Sequence, residues 1–338
     1  MNNIEPEGSA IMERKYYIDF LKTFGILLLI LAHVQAPDIV ENIRCFDVPL
    51  LVFLSGILVP NSYNKSGNAS KYFWKRIERL VFPSWLFLTG FYVCMLAVHQ
   101  LPDISTILKS FLFQRDSGIV GGVWIILIYL WCAVLTPILQ KIARMRHCWL
   151  LISFFIILYE VLIYVPGLVD NRLFYYTLFS AVPYGIFMLL GIKYDTLSAK
   201  EKLKLFIVGL GLLIFSSVVL FVRYGELQSP ADYKYPAQLY FFSYSLPIII
   251  TLIELCKKLE PCMKKFSLVQ FMSRHSLWIY LWQIFFLAVF NYVLCVSSWI
   301  LTYLGIVCFS VLFTWIQNLS IEKISRKKNF YIFKYLSC

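Results

Sequence analysis

The sequence predicts an all-α membrane protein, a polytopic helix bundle of about ten transmembrane helices with both termini on the cytoplasmic side. Three observations predict it. Of the 338 residues, 60% are hydrophobic and only 15% charged, too little polar surface to coat a water-soluble globule of that size. Apolar runs of roughly 20 residues, the length that crosses a hydrocarbon core, recur along the whole chain. Lys and Arg concentrate in alternate connections between those runs, as the retention of positive charge on the cytoplasmic side requires.

The predicted spans are 17–36, 45–60, 80–99, 119–139, 148–166, 173–192, 205–222, 237–256, 276–295 and 297–317. The second is short, and almost nothing separates the last two. The first run is too long for a signal-peptide core and has no small-residue cleavage site behind it, so it is read as an uncleaved first span. Connections stay below about 25 residues, which predicts 1–338 as one transmembrane domain, with cytoplasmic tails at 1–15 and 319–338 and no attached soluble domain.

The net charge of +12 suggests nucleic acid, anionic lipid or a topology signal, and its placement decides. Of 31 Lys and Arg, 24 fall in the set comprising both tails and the 61–79, 140–147, 193–204 and 257–275 connections. The opposite set holds six, Arg44, Lys109, Arg115, Arg172, Arg223 and Lys234, while Lys22 lies within the first span. The excess is therefore topological, and a nucleic-acid surface is not expected. Nine cysteines lie mostly inside apolar runs, without CxxC pairs or Cys/His ligand spacing, so neither a disulfide framework nor a zinc site is expected.

Ionisable groups inside spans cost at least a few kcal/mol and mark functional candidates. Asp19 and Lys22 share one helix face near the cytoplasmic end, where they either neutralise each other or serve a site. His33 lies eleven residues beyond Lys22, about 16 Å farther out and on nearly the same face. Its imidazole either lines a cavity with Lys22 below it or caps the helix by bonding a backbone carbonyl. Asp47 and Glu160 fall near the same depth and are candidates to orient that imidazole; pairing with Arg44 or with a helix terminus is the alternative for them. Arg76 and Arg79, spaced i, i+3 at the cytoplasmic mouth of the third span, either anchor topology or present two guanidiniums to one phosphate. Most Trp and Tyr residues read as interfacial belts, and Gly121, Gly122, Gly185 and Gly191 as close-packing points. Ser55 reads as a packing residue rather than a nucleophile.

YIDFLKTFGILLLILAH (17–33), FDVPLLVFLSGIL (46–58), KRIERLVFP (75–83), WIILIYLWCAVLTPIL (124–139), YKYPAQLYFFSYSL (233–246) and RHSLWIYLWQIFF (274–286), taken in order, resemble segments of the acyltransferase-3 family of integral membrane O-acyltransferases. The likeness runs over nearly the whole chain. It implies transfer of an acyl group, usually acetyl, from acyl-CoA to a hydroxyl of a carbohydrate or lipid-linked acceptor, as in O-antigen, capsule or exopolysaccharide O-acetylation. The histidine of the first segment, here His33, is implied as the essential polar group. Two positions depart from the pattern: the family arginine is Lys22, which loses the bidentate fork, and Gln283 stands where a second histidine is usual.

The expected enzyme is thus an O-acetyltransferase of a bacterial plasma (inner) membrane. Its expected catalytic residues are His33, as general base or by way of a transient acyl-histidine, with Asp47 and Glu160; Lys22, Arg76 and Arg79 would meet acetyl-CoA, the co-substrate, and no metal is expected. Partners are acyl-CoA, a carbohydrate or lipid-linked sugar, and membrane lipid. A non-enzymatic transporter or flippase of lipid-linked sugars is the competing class, which should show internal repeats or paired broken helices; no convincing self-similarity is found between the halves.

Overall fold

The computed structural model describes residues 14–325; most of both predicted tails lies outside the described residues. Within them the chain is helical, with no β-strand. The helices in order are α1 (Tyr16–Leu31), α2 (Asp38–Arg44), α3 (Asp47–Asn64), α4 (Ala69–Ala97) and α5 (Ile104–Phe111), followed by α6 (Trp124–Arg144), α7 (Cys148–Ile163), α8 (Arg172–Tyr176), α9 (Leu178–Tyr194) and α10 (Ala199–Tyr224). The last third holds α11 (Leu239–Lys258), α12 (Glu260–Met263), α13 (Ser267–Arg274), α14 (Ser276–Ala288) and α15 (Trp299–Ser325). A 3-10 turn at Gly118–Val123 leads into α6, another at Pro230–Tyr233 precedes α11, and a π-helical turn at Val289–Val293 extends α14.

Each predicted span contains a helix. Eight helical stretches are long and apolar enough to cross a membrane; α7 and α1, of 16 residues each, are shorter. The boundaries differ where local chemistry overrides hydrophobicity. α4 begins at Ala69 rather than near 80, because Asn68 caps it by accepting from the Lys71 amide at 2.7 Å and the polar segment that follows continues the same helix. The sixth span is divided at Thr177, where φ and ψ leave the helical region. α10 carries a Ser198–Glu201 capping box and ends at Gly225 in the left-handed conformation.

Side-chain contacts across the chain sort by predicted side. Lys15 pairs with Asp195, Lys257 with Asp195 at 3.7 Å, and Arg14 donates to Gln270 at 3.3 Å, all from segments assigned to the cytoplasm. Arg172 and Lys109 meet Asp116, at 3.2 and 3.1 Å, and Lys234 meets Asp47 at 3.3 Å, all from the opposite set. Each of these contacts stays within one set, as alternating spans require.

The bundle has an inner and an outer tier. In the apolar window of Asp38–Asn64, 78% of residues are buried, against 11% for Ala199–Tyr224 and 22% for Trp299–Lys323. A helix apolar on all sides with an unburied surface is one that lipid covers, so α10 and α15 form the rim around α1, α3, α9 and α11. α3 and α9 meet through glycine: a Cβ at Gly191 would lie 2.1 Å from the Phe53 carbonyl oxygen, and one at Gly56 would lie 2.3 Å from that of Met188. Such backbone approach supplies the dispersion contacts that hold helices together in lipid. Gly185 is also a close-packing point, 3.2 Å from Leu135 Cδ1 by the same measure.

Candidate active site

α1 rises about 24 Å over its 16 residues, less than the ~30 Å of a hydrocarbon core. His33 lies in the turn just past the end of α1 and lines a cavity. The His33 backbone amide donates to the Ile30 carbonyl at 3.1 Å, and the ring Nδ1 lies 2.8 Å from the Leu29 carbonyl oxygen. A carbonyl can only accept, so Nδ1 carries the proton and the neutral ring has an unprotonated Nε2. Nε2 faces the 3-10 turn: a Cβ on Gly122 would lie 3.5 Å from it and 3.3 Å from the Tyr280 hydroxyl. Tyr280 Oη in turn donates to the Gly122 carbonyl.

The cavity in front of His33 has a volume of about 350 Å³, and its wall includes Glu41, Arg44, Arg115, Trp124, Lys234 and Tyr235. Arg115, Trp124, Lys234 and Tyr235 also border a narrow aromatic crevice toward Tyr175, Tyr176 and Tyr184. Nearer the cytoplasmic side lies a second cavity of about 170 Å³, lined by Lys22, Ser55, Arg76, Tyr129, Ser276 and Tyr280 among others. Leu29 borders both, and Tyr280 borders the inner one while bonding Gly122 in the wall of the outer one. The two spaces thus meet at a partition that includes Leu29, and the His33 ring lines the outer one.

The expected carboxylates do not hold the imidazole. Asp47 is fully buried and accepts from Arg44 Nη1 at 2.7 Å, Lys234 Nζ at 3.3 Å and the Val48 amide at 2.7 Å. Its charge is spent on two cations, and the imidazole is oriented by Leu29 instead. Glu160, on α7, accepts from the Leu239 amide at 2.9 Å, where it meets the free N–H groups and positive dipole end of α11. It is absent from the residues lining the His33 cavity. Both therefore take the alternative placements the sequence left open.

On the inner side, Asp19 does not neutralise Lys22 by direct contact: it accepts from Arg14 Nε and Ser273 Oγ, each at 2.6 Å. Lys22 Nζ instead donates to the Ser273 carbonyl at 3.1 Å, beside the inner cavity. Arg76 shares that cavity, its Nε donating to Tyr72 Oη at 3.2 Å, whereas Arg79 is exposed and is not part of the lining. Of the two guanidiniums spaced to share one phosphate, one is at the cavity and the other on the surface. Ser55 donates to the Leu51 carbonyl at 2.9 Å, a bond within its own helix, although its side of α3 borders the cavity. Gln283 is fully buried on α14 with neither side-chain polar atom partnered among the described residues.

Arg44, Arg115, Trp124, Lys234, Tyr235 and Tyr280 were not among the residues picked from the sequence. A signal was present for three of them. Arg44, Arg115 and Lys234 are half of the six cations on the side where positive residues are disfavoured, and these three converge on one cavity.

The chain is an integral membrane helix bundle whose His33 lines the outer of two adjoining cavities. The acyltransferase-3 family, described as an acyltransferase domain, matches residues 15–318, and the chain belongs to it. It is a membrane acyltransferase, which displaces the transporter reading. No curated protein and no solved structure matches the chain.

Proposed function

We propose that the protein is an O-acetyltransferase of a bacterial plasma membrane that moves acetyl from cytoplasmic acetyl-CoA to a hydroxyl of a cell-surface or lipid-linked carbohydrate. The observation that carries this reading is the bare Nε2 of His33, fixed by the Leu29 carbonyl at a partition between two cavities.

Acetyl-CoA is polyanionic and arrives from the cytoplasm, so Lys22 and Arg76 at the inner cavity receive it. The ~16 Å rise from Lys22 to His33 is on the order of an extended pantetheine arm, so the thioester reaches the partition. The acceptor enters the outer cavity, where Trp124 and Tyr235 offer flat amphipathic faces suited to a sugar ring. Nε2 accepts the hydroxyl proton as the oxygen attacks the thioester carbonyl. The new C–O bond forms, the C–S bond breaks, and the imidazolium returns the proton to the leaving thiolate. Oxygen, sulfur and proton balance without another reactant.

The test replaces His33 with Ala and measures both acetyl transfer from labelled acetyl-CoA in membranes and O-acetyl content of the surface polysaccharide. Loss of a general base predicts a drop of roughly 10²–10⁴ in rate at normal protein level. Unchanged acetylation would overturn the assignment.

A further inference from the structure

We infer that the outer cavity is built for an acidic carbohydrate, one bearing a carboxylate or phosphate beside the hydroxyl that is acylated. The inference rests on the acyltransferase reading above and adds the chemical class of its acceptor.

The charge inventory of the wall carries it. Arg44, Arg115 and Lys234 line the cavity, with Glu41 the one carboxylate among its lining residues. Asp47 lies behind the wall, accepting from Arg44 Nη1 and from Lys234, and Glu41 accepts from Arg44 Nη2. Two carboxylates thus face three cations, leaving one positive charge over.

Two donors remain unused. Arg44 is only 6% exposed, and its Nε has no hydrogen-bond partner among the described residues; a buried guanidinium N–H left unpaired is costly, and an anionic oxygen would satisfy it. Arg115 forms no ion pair among the described residues and lies over the Tyr235 ring, 3.5 Å from its centroid. A guanidinium stacked on an aromatic face keeps its in-plane N–H groups free for a planar or tetrahedral oxyanion. Lys234 also stays cationic, because Asp47 outweighs the effect of burial and raises its pKa. A neutral sugar would leave this surplus unanswered.

The experiment uses full-length protein in nanodiscs of zwitterionic lipid and reads Trp fluorescence and thermal unfolding against three probes: methyl β-D-glucuronide, inorganic phosphate and methyl β-D-glucoside. The acidic probes are expected to bind saturably, and the neutral glucoside at least tenfold more weakly. Arg115→Gln, at an exposed position where folding is not at stake, is expected to weaken the acidic probes about tenfold without altering the weak glucoside response. Arg44→Gln is the deeper variant. Equal binding of glucoside and glucuronide, no binding of either acidic probe, or indifference to Arg115→Gln overturns the inference. A fourth arm adds phosphatidylglycerol to the discs; an Arg115-dependent response to that lipid with none to the glucuronide assigns the charge to a lipid headgroup and likewise overturns it. Probe binding is read in His33→Ala as well. If that variant loses transfer while the probes are not discriminated, the acidic acceptor fails and the enzyme reading stands. If His33→Ala transfers normally while the acidic probes bind, the reverse holds.

Discussion

His33 Nδ1 donates to the carbonyl oxygen of Leu29 across 2.8 Å, one turn back along α1. The bond does the work a carboxylate would do in a hydrolytic triad, fixing tautomer and ring orientation, but it brings no negative charge to stabilise an imidazolium. For the proposed general base, whose proton would pass to a leaving thiolate within the same turnover, a neutral orienting group suffices.

The space in front of Nε2 is kept open by the missing side chain of Gly122. In Gly122→Ala the new methyl would sit 3.5 Å from Nε2 and 3.3 Å from the Tyr280 hydroxyl, where the acceptor oxygen of the proposed reaction would approach. A misplacement of this size is expected to reduce turnover by about 10- to 100-fold. Acetyl transfer and unfolding temperature measured on the same preparation check it, and a loss of transfer that merely tracks a loss of folded protein counts against the claim.

Asp47 holds two buried cations together, so its removal is foremost a matter of stability. Asp47→Asn leaves Lys234 without a carboxylate and Arg44 with Glu41 alone, at an expected cost of about 3–5 kcal/mol. Thermal unfolding in detergent measures this, and a partner change of Lys234→Met in the Asp47→Asn background should recover part of the loss. Additivity of the two changes would disprove the coupling.

Topology was readable in the sequence because its determinants are local. The length of an apolar run and the charge of the next connection need no knowledge of the fold, and the segregation of contacts by side follows them. His33 stands out for the same reason, as an isolated imidazole at the end of an apolar run. The partners of the buried charges were only half readable. Arg44 and Asp47 stand three residues apart, but Lys234, which completes the trio, is 187 residues away in sequence. Asp47 and Glu160 sit apart from the imidazole because depth along a helix says nothing of azimuth; Glu160, expected near the level of His33, meets the start of α11. Arg76 and Arg79 separate for a similar reason, since one turn of α4 suffices to bring one to the cavity and leave the other outside.

Asp116, in the connection before the 3-10 turn, supplies a pH test on the outer face. Burial raises its pKa, but the hydroxyl of Tyr176 at 2.6 Å, Lys109 at 3.1 Å and Arg172 at 3.2 Å outweigh that and hold the carboxyl below its ordinary value of 3.8. A depressed folded-state pKa gives stability that is fully present above the unfolded value and is lost as pH falls through the folded one. The unfolding temperature of the wild type should therefore fall as pH drops from about 5 to 3 and below. Asp116→Asn should be less stable at neutral pH and converge on the wild type in acid. Parallel curves over the whole range would show that the cluster contributes nothing.

Arg76 and Arg79 offer an internal control for the donor end. They share a helix, a charge and nearly a depth, but only Arg76 borders the inner cavity, together with Lys22. If acetyl-CoA enters there, Arg76→Gln and Lys22→Met remove attraction felt equally by the bound donor and by the transition state. The Michaelis constant for acetyl-CoA should then rise about tenfold while turnover at saturation changes little. Arg79→Gln, losing only a solvent-screened charge farther off, should raise it by no more than about twofold. Lys22→Arg is the complementary change: it keeps the charge and adds a fork of donors that can hold the Ser273 carbonyl and a donor phosphate at once, so it should retain or lower the wild-type constant. Steady-state kinetics in proteoliposomes with acetyl-CoA on the cytoplasmic face measure all four. Equal effects of Arg76→Gln and Arg79→Gln would mean that the cluster acts through its overall field and that the cavity is not where the donor is gripped.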